Sequence, residues 1–134
     1  MHELDDIPTP QGELTLKLVT RRQDTNLYGD IPGGWLMAQM DQAAELAAGR
    51  LARGRTATVA TEGMDFLCPV RVGAMVNIFT QVREVGRSSI KLDVEVWIRP
   101  PHERDPEERY KVTEARFVMV ALDDNGRIRP VPEA

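Results

Sequence analysis

Apolar and polar positions alternate along several stretches of this chain and run together in one. Leu14, Leu16 and Leu18 alternate with Thr15 and Lys17, a period of two that predicts a half-buried strand. Residues 24–34 break that signal with Asn26, Gly29, Asp30, Pro32, Gly33 and Gly34, a loop running into a helix. Residues 35–51 read as that helix. Trp35, Leu36, Met37, Met40, Ala43, Ala44, Leu46, Ala47, Ala48 and Leu51 cover almost every face, and a helix apolar nearly all round is expected to be buried. Its alanines let other elements approach closely. Strand signals follow: residues 56–66 are β-prone, and Val76, Ile78, Thr80 and Val82 alternate. Ile90, Leu92, Val94, Val96 and Ile98 then alternate with Lys91, Asp93, Glu95 and Trp97, the clearest half-buried strand in the chain. Pro100 and Pro101 end it, a charged loop runs to about Glu108, and residues 110–122 form a last long strand. Asp124-Asn125-Gly126 is a turn signal, and residues 128–134 are a Pro-rich tail.

The predicted order is one strand, one long apolar helix, then four strands. This is an α+β pattern: a curved antiparallel sheet wrapped around a single central helix. One helix covers one face, so the outer face is left to solvent or to assembly. Residues 13–132 are expected to form one domain behind a flexible lead-in, residues 1–12. Within that domain the chain has no internal repeat.

Composition narrows the chemistry. The 134 residues include one cysteine, Cys68, and two histidines, His2 and His102. An intrachain disulfide and a cysteine-rich zinc site are therefore excluded, no metal is expected, and histidine-dependent catalysis has little to work with. The net charge of −4 and pI near 5.2 give no global support for a nucleic-acid partner; a polyanionic ligand needs locally placed cations. No run approaches the roughly 20 apolar residues of a membrane span. The acidic, Pro-containing start lacks the basic and apolar regions of a signal peptide, so the expected location is the cytoplasm.

Residues 24–41 concentrate the candidate chemistry. Gly33-Gly34 opens the helix, and helix N-termini present unpaired N–H groups at a positive dipole end. Glycine lets a ligand oxygen come close to that backbone, so the pair can polarise a carbonyl and hold a developing oxyanion. A plain tight turn is the other use of such a pair. Asp41 lies just under two turns past Gly34, on nearly the same face and roughly 10 Å further along the axis. Its side chain leans back toward the N-terminus. The gap fits a polarised carbonyl carbon plus one water, for general-base hydrolysis or direct carboxylate attack. A carboxylate at the sheet rim or in an intersubunit ion pair is the alternative, since a charge on an apolar helix needs a partner or a purpose.

These residues, as Asp24-Thr25-Asn26-Leu27-Tyr28-Gly29-Asp30-Ile31-Pro32-Gly33-Gly34-Trp35-Leu36-Met37-Ala38-Gln39-Met40-Asp41, carry a resemblance. The stretch is similar to the signature of the hotdog-fold acyl-CoA thioesterases of the bacterial YciA-like group, D-T-N-x-x-G-D-I-x-G-G-W-x-M-x-Q-M-D. Further matches run through Glu62-Gly63-Met64-Asp65-Phe66, Pro69-Val70, Val85-Gly86-Arg87-Ser88-Ser89-Ile90-Lys91, Val94-Glu95-Val96-Trp97 and Val112-Thr113-Glu114-Ala115. The resemblance implies a hotdog fold, active sites at a dimer interface, and hydrolysis of acyl-CoA to CoA and a carboxylic acid without a cofactor. It implies that Asp41 is the catalytic carboxylate, that Asn26 positions thioester or water across the interface, and that Gly33 or Gly34 supplies the polarising N–H. It also implies a homo-oligomer, a dimer assembled as a trimer of dimers. Pro32 and the Leu27-Tyr28 pair depart from the pattern and bear on the acyl pocket.

CoA carries three phosphate groups, and Gly86-Arg87-Ser88-Ser89 offers an N–H-rich turn, a cation and two hydroxyls to meet them. A simple hairpin turn is the competing use. Arg50, Arg53 and Arg55 are read as cations complementing the helix C-terminus. Thr58 and Glu62 lie on the strand expected to pass the helix, and Cys68 as a small packing residue. A non-catalytic acyl-CoA binding or sensing protein on the same fold is the alternative function. A hotdog hydratase would need a histidine that neither the helix nor its entry loop contains.

Overall fold

The computed structural model describes residues 8–105 and 108–133. His2, residues 106–107 of the charged loop and most of the lead-in lie outside them. The alternating stretches form β1 (Glu13–Val19), β2 (Thr56–Glu62), β3 (Met75–Val85), β4 (Ser89–Arg99) and β5 (Tyr110–Ala121), and the apolar run forms α1 (Gly33–Ala52). All pairings are antiparallel, in the order β1-β3-β4-β5-β2. The helix packs against all five strands, so the sheet curls around it as the pattern predicts. This is the hotdog arrangement.

The inner face of β4, Ile90, Leu92, Val94, Val96 and Ile98, is buried throughout, facing Leu36, Met40, Ala43, Ala44, Ala48 and Ala52 of α1. Small residues on the helix and branched residues on the strands let the two come close. Each fully buried strand residue contributes roughly 1.5–3 kcal/mol relative to exposure. Phe117 and Met119 of β5 close the same core.

Two expectations change. The helix is not buried all round: Met37, Leu46 and Leu51 are 40–45% exposed, because the sheet wraps one side only. The outer face of β4 is not uniformly half-exposed either, since Glu95 and Trp97 are 6% and 3% exposed. Trp97 Nε1–H donates to Glu95 Oε1 at 2.8 Å, the Gln11 N–H points to the same oxygen at 3.4 Å, and the Arg109 guanidinium stands 5.9 Å over the Trp97 ring. Residues of the lead-in thus lie against the outer face. Gly12 makes that path possible. It has φ +93°, and a Cβ there would stand 2.3 Å from the Thr80 carbonyl oxygen.

Both edge strands, β1 and β2, lack a strand partner on one side among the described residues. Each has four exposed residues among its seven, Val59 of β2 at 57% accessible among them. No described helix is long and apolar enough to cross a membrane.

Candidate active site

Pro32 starts the site. Its fixed φ of −64° suits an N-cap, and its carbonyl accepts the N–H groups of Trp35 at 3.1 Å and Leu36 at 3.4 Å. The N–H groups of Gly33 and Gly34 have no acceptor among the described residues, as expected for the first turn of a helix without a side-chain cap. Around Gly34 there is open space: a Cβ there would meet no heavy atom within 4 Å. Gly33 is different, because the Phe66 ring packs over it and would stand 3.3 Å from an added Cβ. The two glycines therefore do separate things: Gly33 admits an aromatic wall, and Gly34 leaves a donor open.

Asp41 sits eight positions past Gly33 on α1 and is half-buried. Its Oδ1 accepts a short hydrogen bond from Thr58 Oγ1 of β2. Thr58 Oγ1 also lies 3.1 Å from Met119 Sδ; a carboxylate is far the stronger acceptor, so the hydroxyl proton goes to Asp41. That leaves Oδ2 without a hydrogen-bond partner among the described residues. Thr58 is thereby a site residue whose role the sequence left open. Glu62, at the other end of β2, is exposed.

Asn26 lies in the exposed loop before α1. Its Oδ1 accepts the N–H groups of Tyr28 at 2.9 Å and Asp30 at 3.1 Å, and its own N–H donates to Asp30 O at 2.8 Å. Only its amino group is left to act elsewhere, and no described bond joins it to Asp41. Beside it Leu27 and Tyr28 are 97% and 86% exposed, two large side chains left almost uncovered by the described residues.

The Gly86–Ser89 turn is at the far end of the helix. Gly86 N–H donates to Ser89 O at 2.8 Å, and a Cβ at Gly86 would stand 2.7 Å from Ser89 Oγ. Arg87 is exposed and forms no ion pair among the described residues. The fold brings Arg50 and Arg53 to Gly86 and Arg87, lining one cleft of about 860 Å³. Arg50 reaches Glu13 across 3.6 Å at the surface, while Arg53 is unpaired among the described residues. Sequence alone gave Arg50 and Arg53 only a helix-dipole role; their nearness to Arg87 is a tertiary fact. His102 is exposed in the charged loop, and no described group of three His, Cys, Asp or Glu residues is arranged for a metal. Cys68 packs beside the core, and burial pushes its thiol pKa up.

Comparison with known proteins identifies the family. Residues 28–104 match the family model of the thioesterase superfamily. The acyl-CoA thioester hydrolase YciA of Salmonella typhimurium is 46% identical over 124 residues, 92% of this chain and 93% of that protein. Among solved structures, HI0827, a hexameric broad-specificity acyl-coenzyme A thioesterase, superposes with a TM-score of 0.89 at 45% identity, covering 94% of this chain and 85% of its own. An acyl-CoA hydrolase from Staphylococcus aureus, solved with butyryl-CoA and CoA, gives 0.77 at 29% identity, covering 87% of this chain and 70% of its own. That enzyme has also been solved with alanine in place of an asparagine, an aspartate and a threonine spaced fifteen and then seventeen residues apart, the spacing of Asn26, Asp41 and Thr58. By its family match and by identity along nearly its whole length, this chain belongs to the thioesterase superfamily, among the YciA-type acyl-CoA thioester hydrolases.

Proposed function

We propose that this acyl-CoA thioester hydrolase works through Asp41, with the free N–H of Gly34, or of its neighbour Gly33, polarising the thioester carbonyl. The single observation that carries the reading is the Asp41–Thr58 bond on the face shared with an open Gly34. Thr58 fixes one carboxylate oxygen and leaves the other facing the reaction. The thioester oxygen accepts from the glycine N–H, where the helix dipole stabilises the charge that develops on it. The carbonyl carbon is then attacked, the C–S bond breaks, and CoA leaves as the thiolate, which takes its proton from Asp41 in the general-base route and from solvent in the direct-attack route. Two chemistries use the same Asp41 oxygen. It removes a proton from water as the water adds, or it adds to the carbon itself and gives an anhydride that water opens. A single turnover in ¹⁸O-water that labels the Asp41 carboxylate establishes the second route, with water opening the anhydride at the aspartyl carbon; trapping of the acyl-Asp41 adduct with hydroxylamine tests the same route where water attacks the acyl carbon instead. No metal or redox cofactor enters either route.

Gly86-Arg87-Ser88-Ser89, with Arg50 and Arg53 across the same cleft, are assigned to the phosphates of CoA. Three guanidinium groups around one cleft in an acidic protein supply the local cations that a nucleotide requires. Asn26 and the exposed Leu27 and Tyr28 are assigned to the site of a second copy. With its exposed β2 edge, the chain is suited to a dimer that extends the sheet, and hexameric relatives support assembly into a hexamer, which we assign as a trimer of such dimers.

The test is thiol release from acetyl-, butyryl- and longer acyl-CoAs by wild type and Asp41→Asn. The wild type turns over and the variant loses about 10²–10⁴-fold in kcat, the usual worth of a general base. A fully active Asp41→Asn removes Asp41 from the chemistry. A wild type that binds acyl-CoA in calorimetry and leaves the ester intact establishes the non-catalytic sensing function instead.

A further inference from the structure

The described tail after β5 does not trail into solvent. The Arg129 N–H donates to Ala121 O at 3.0 Å, its Nε to Leu122 O at 2.8 Å, and its Nη2 to Ala52 O at 2.7 Å. Ala52 ends α1, whose last carbonyls have no donor from the helix itself. A guanidinium there satisfies one of them and complements the dipole. Gly54 makes the room, since a Cβ there would stand 2.9 Å from Arg129 Nη2. Two residues on, the Val131 N–H donates to Arg87 O at 2.7 Å, and the Val131 side chain packs against the core. The neighbouring Ser88 O accepts the Ala121 N–H at 3.0 Å. The turn is therefore held by two donors, one from β5 and one from the tail.

We propose that Arg129 is a positioning residue for the phosphates of CoA. It clamps the tail between the end of α1 and the end of β5. The tail fixes the Arg87 backbone through the Val131 N–H. The Arg87 guanidinium is thereby held opposite Arg50 and Arg53 in the cleft that Pro130 and Val131 help to line. A cation held in place before the ligand arrives loses less freedom on binding than one on a loose turn. This rests on the assignment of CoA phosphates to the Gly86–Ser89 turn.

The experiment measures CoA affinity by calorimetry, together with kcat and KM on butyryl-CoA and on butyryl-pantetheine, which has the thioester and no phosphate. The variants are Arg129→Ala, Arg129→Lys and Val131→Pro, each also in an Arg87→Ala background. Arg129→Ala and Val131→Pro raise the CoA Kd and the butyryl-CoA KM about fivefold to tenfold, with kcat within about twofold and butyryl-pantetheine unaffected. Arg129→Lys recovers part of the loss. In the Arg87→Ala background the effect shrinks, because the two residues act on one contact. The proposal is overturned by unchanged CoA affinity, by an equal loss on butyryl-pantetheine, or by full additivity with Arg87→Ala. Should Arg129→Ala not fold, Val131→Pro is read against Val131→Ala: both lose the valine's packing and cleft lining, and only the proline also loses the N–H tether to Arg87, so equal CoA affinity in the two overturns the proposal. A wild type that binds CoA without releasing thiol ends the hydrolase reading and leaves this one standing. Wild-type turnover with normal CoA binding in both variants does the reverse.

Discussion

Replacing Thr58 by valine removes one hydroxyl and little else. The two side chains have the same shape and both are β-branched, so β2 keeps its strand preference. What is lost is the donor to Asp41 Oδ1; the neighbouring Met119 Sδ, a weak acceptor, loses almost nothing. A hydrogen bond to a charged group is worth about 1.5–3 kcal/mol, although Asp41 is only half-buried and water recovers part of that in the folded protein. The stability change therefore falls at the low end, and Tm drops by no more than about 4–6 °C. Catalysis has no such recovery, because a carboxylate rehydrated in another rotamer is no longer aimed at the carbonyl. Converted at 1.36 kcal/mol per decade, the same bond is worth about 10- to 150-fold in kcat. Thiol release followed with a chromogenic disulfide gives kcat and KM, and circular dichroism gives Tm. Thr58→Ser, which keeps the hydroxyl and loses only a methyl group, stays within about threefold of wild type. A Thr58→Val enzyme with wild-type kcat, or a Ser variant as slow as the Val one, refutes the orienting role.

Gly34→Ala raises helix propensity by up to about 1 kcal/mol and meets nothing within 4 Å, so thermal melting shows equal or higher stability while kcat falls about tenfold or more as the methyl group crowds the carbonyl; a fully active variant would move the oxyanion contact elsewhere. Gly33→Ala pushes on the Phe66 ring from 3.3 Å and lowers Tm with a smaller loss of kcat. Trp97→Phe leaves the buried Glu95 carboxylate with only the long Gln11 contact and costs about 1–3 kcal/mol in urea unfolding with kcat unchanged; a cost near zero means water reaches Glu95. Burial raises the Cys68 pKa above its ordinary 9.0, so at about pH 8 its thiolate fraction is lower than in a free peptide and alkylation followed by mass spectrometry is slower, the rate still climbing above pH 9. A rate equal to that of a free cysteine contradicts it.

The elements were legible because each is announced by a local period. The five-residue alternation of β4 and the alanines of α1 each state which face is covered. Legibility fails where cover comes from afar. Trp97 and Glu95 alternate as outer-face residues, and they are; that a segment ending at Gln11 lies over them is invisible to a period of two. The exposed Met37 and Leu46 fail for the converse reason, since a helix can be apolar on a side that its own sheet does not reach.

The site divides along the same line. Asp41 and Gly34 could be related from sequence because both ride on one helix, and 3.6 residues per turn fixes their geometry. Thr58 meets Asp41 only through the register of β2 against α1, and that register is set by the connection between them. Arg53 ends the helix in the left-handed region at φ 54°, and the Leu122 N–H pins Arg55 O at 2.8 Å. Glycine is the residue expected at such a position, yet Arg53 occupies it and Gly54 follows one place later, so the residues do not announce where the chain reverses. In a strand, one residue of slip turns every side chain to the opposite face; it would aim Val59 rather than Thr58 at the carboxylate. The hydroxyl beside Asp41 therefore depends on a turn whose chemistry is not the common one, and only the folded chain reveals it.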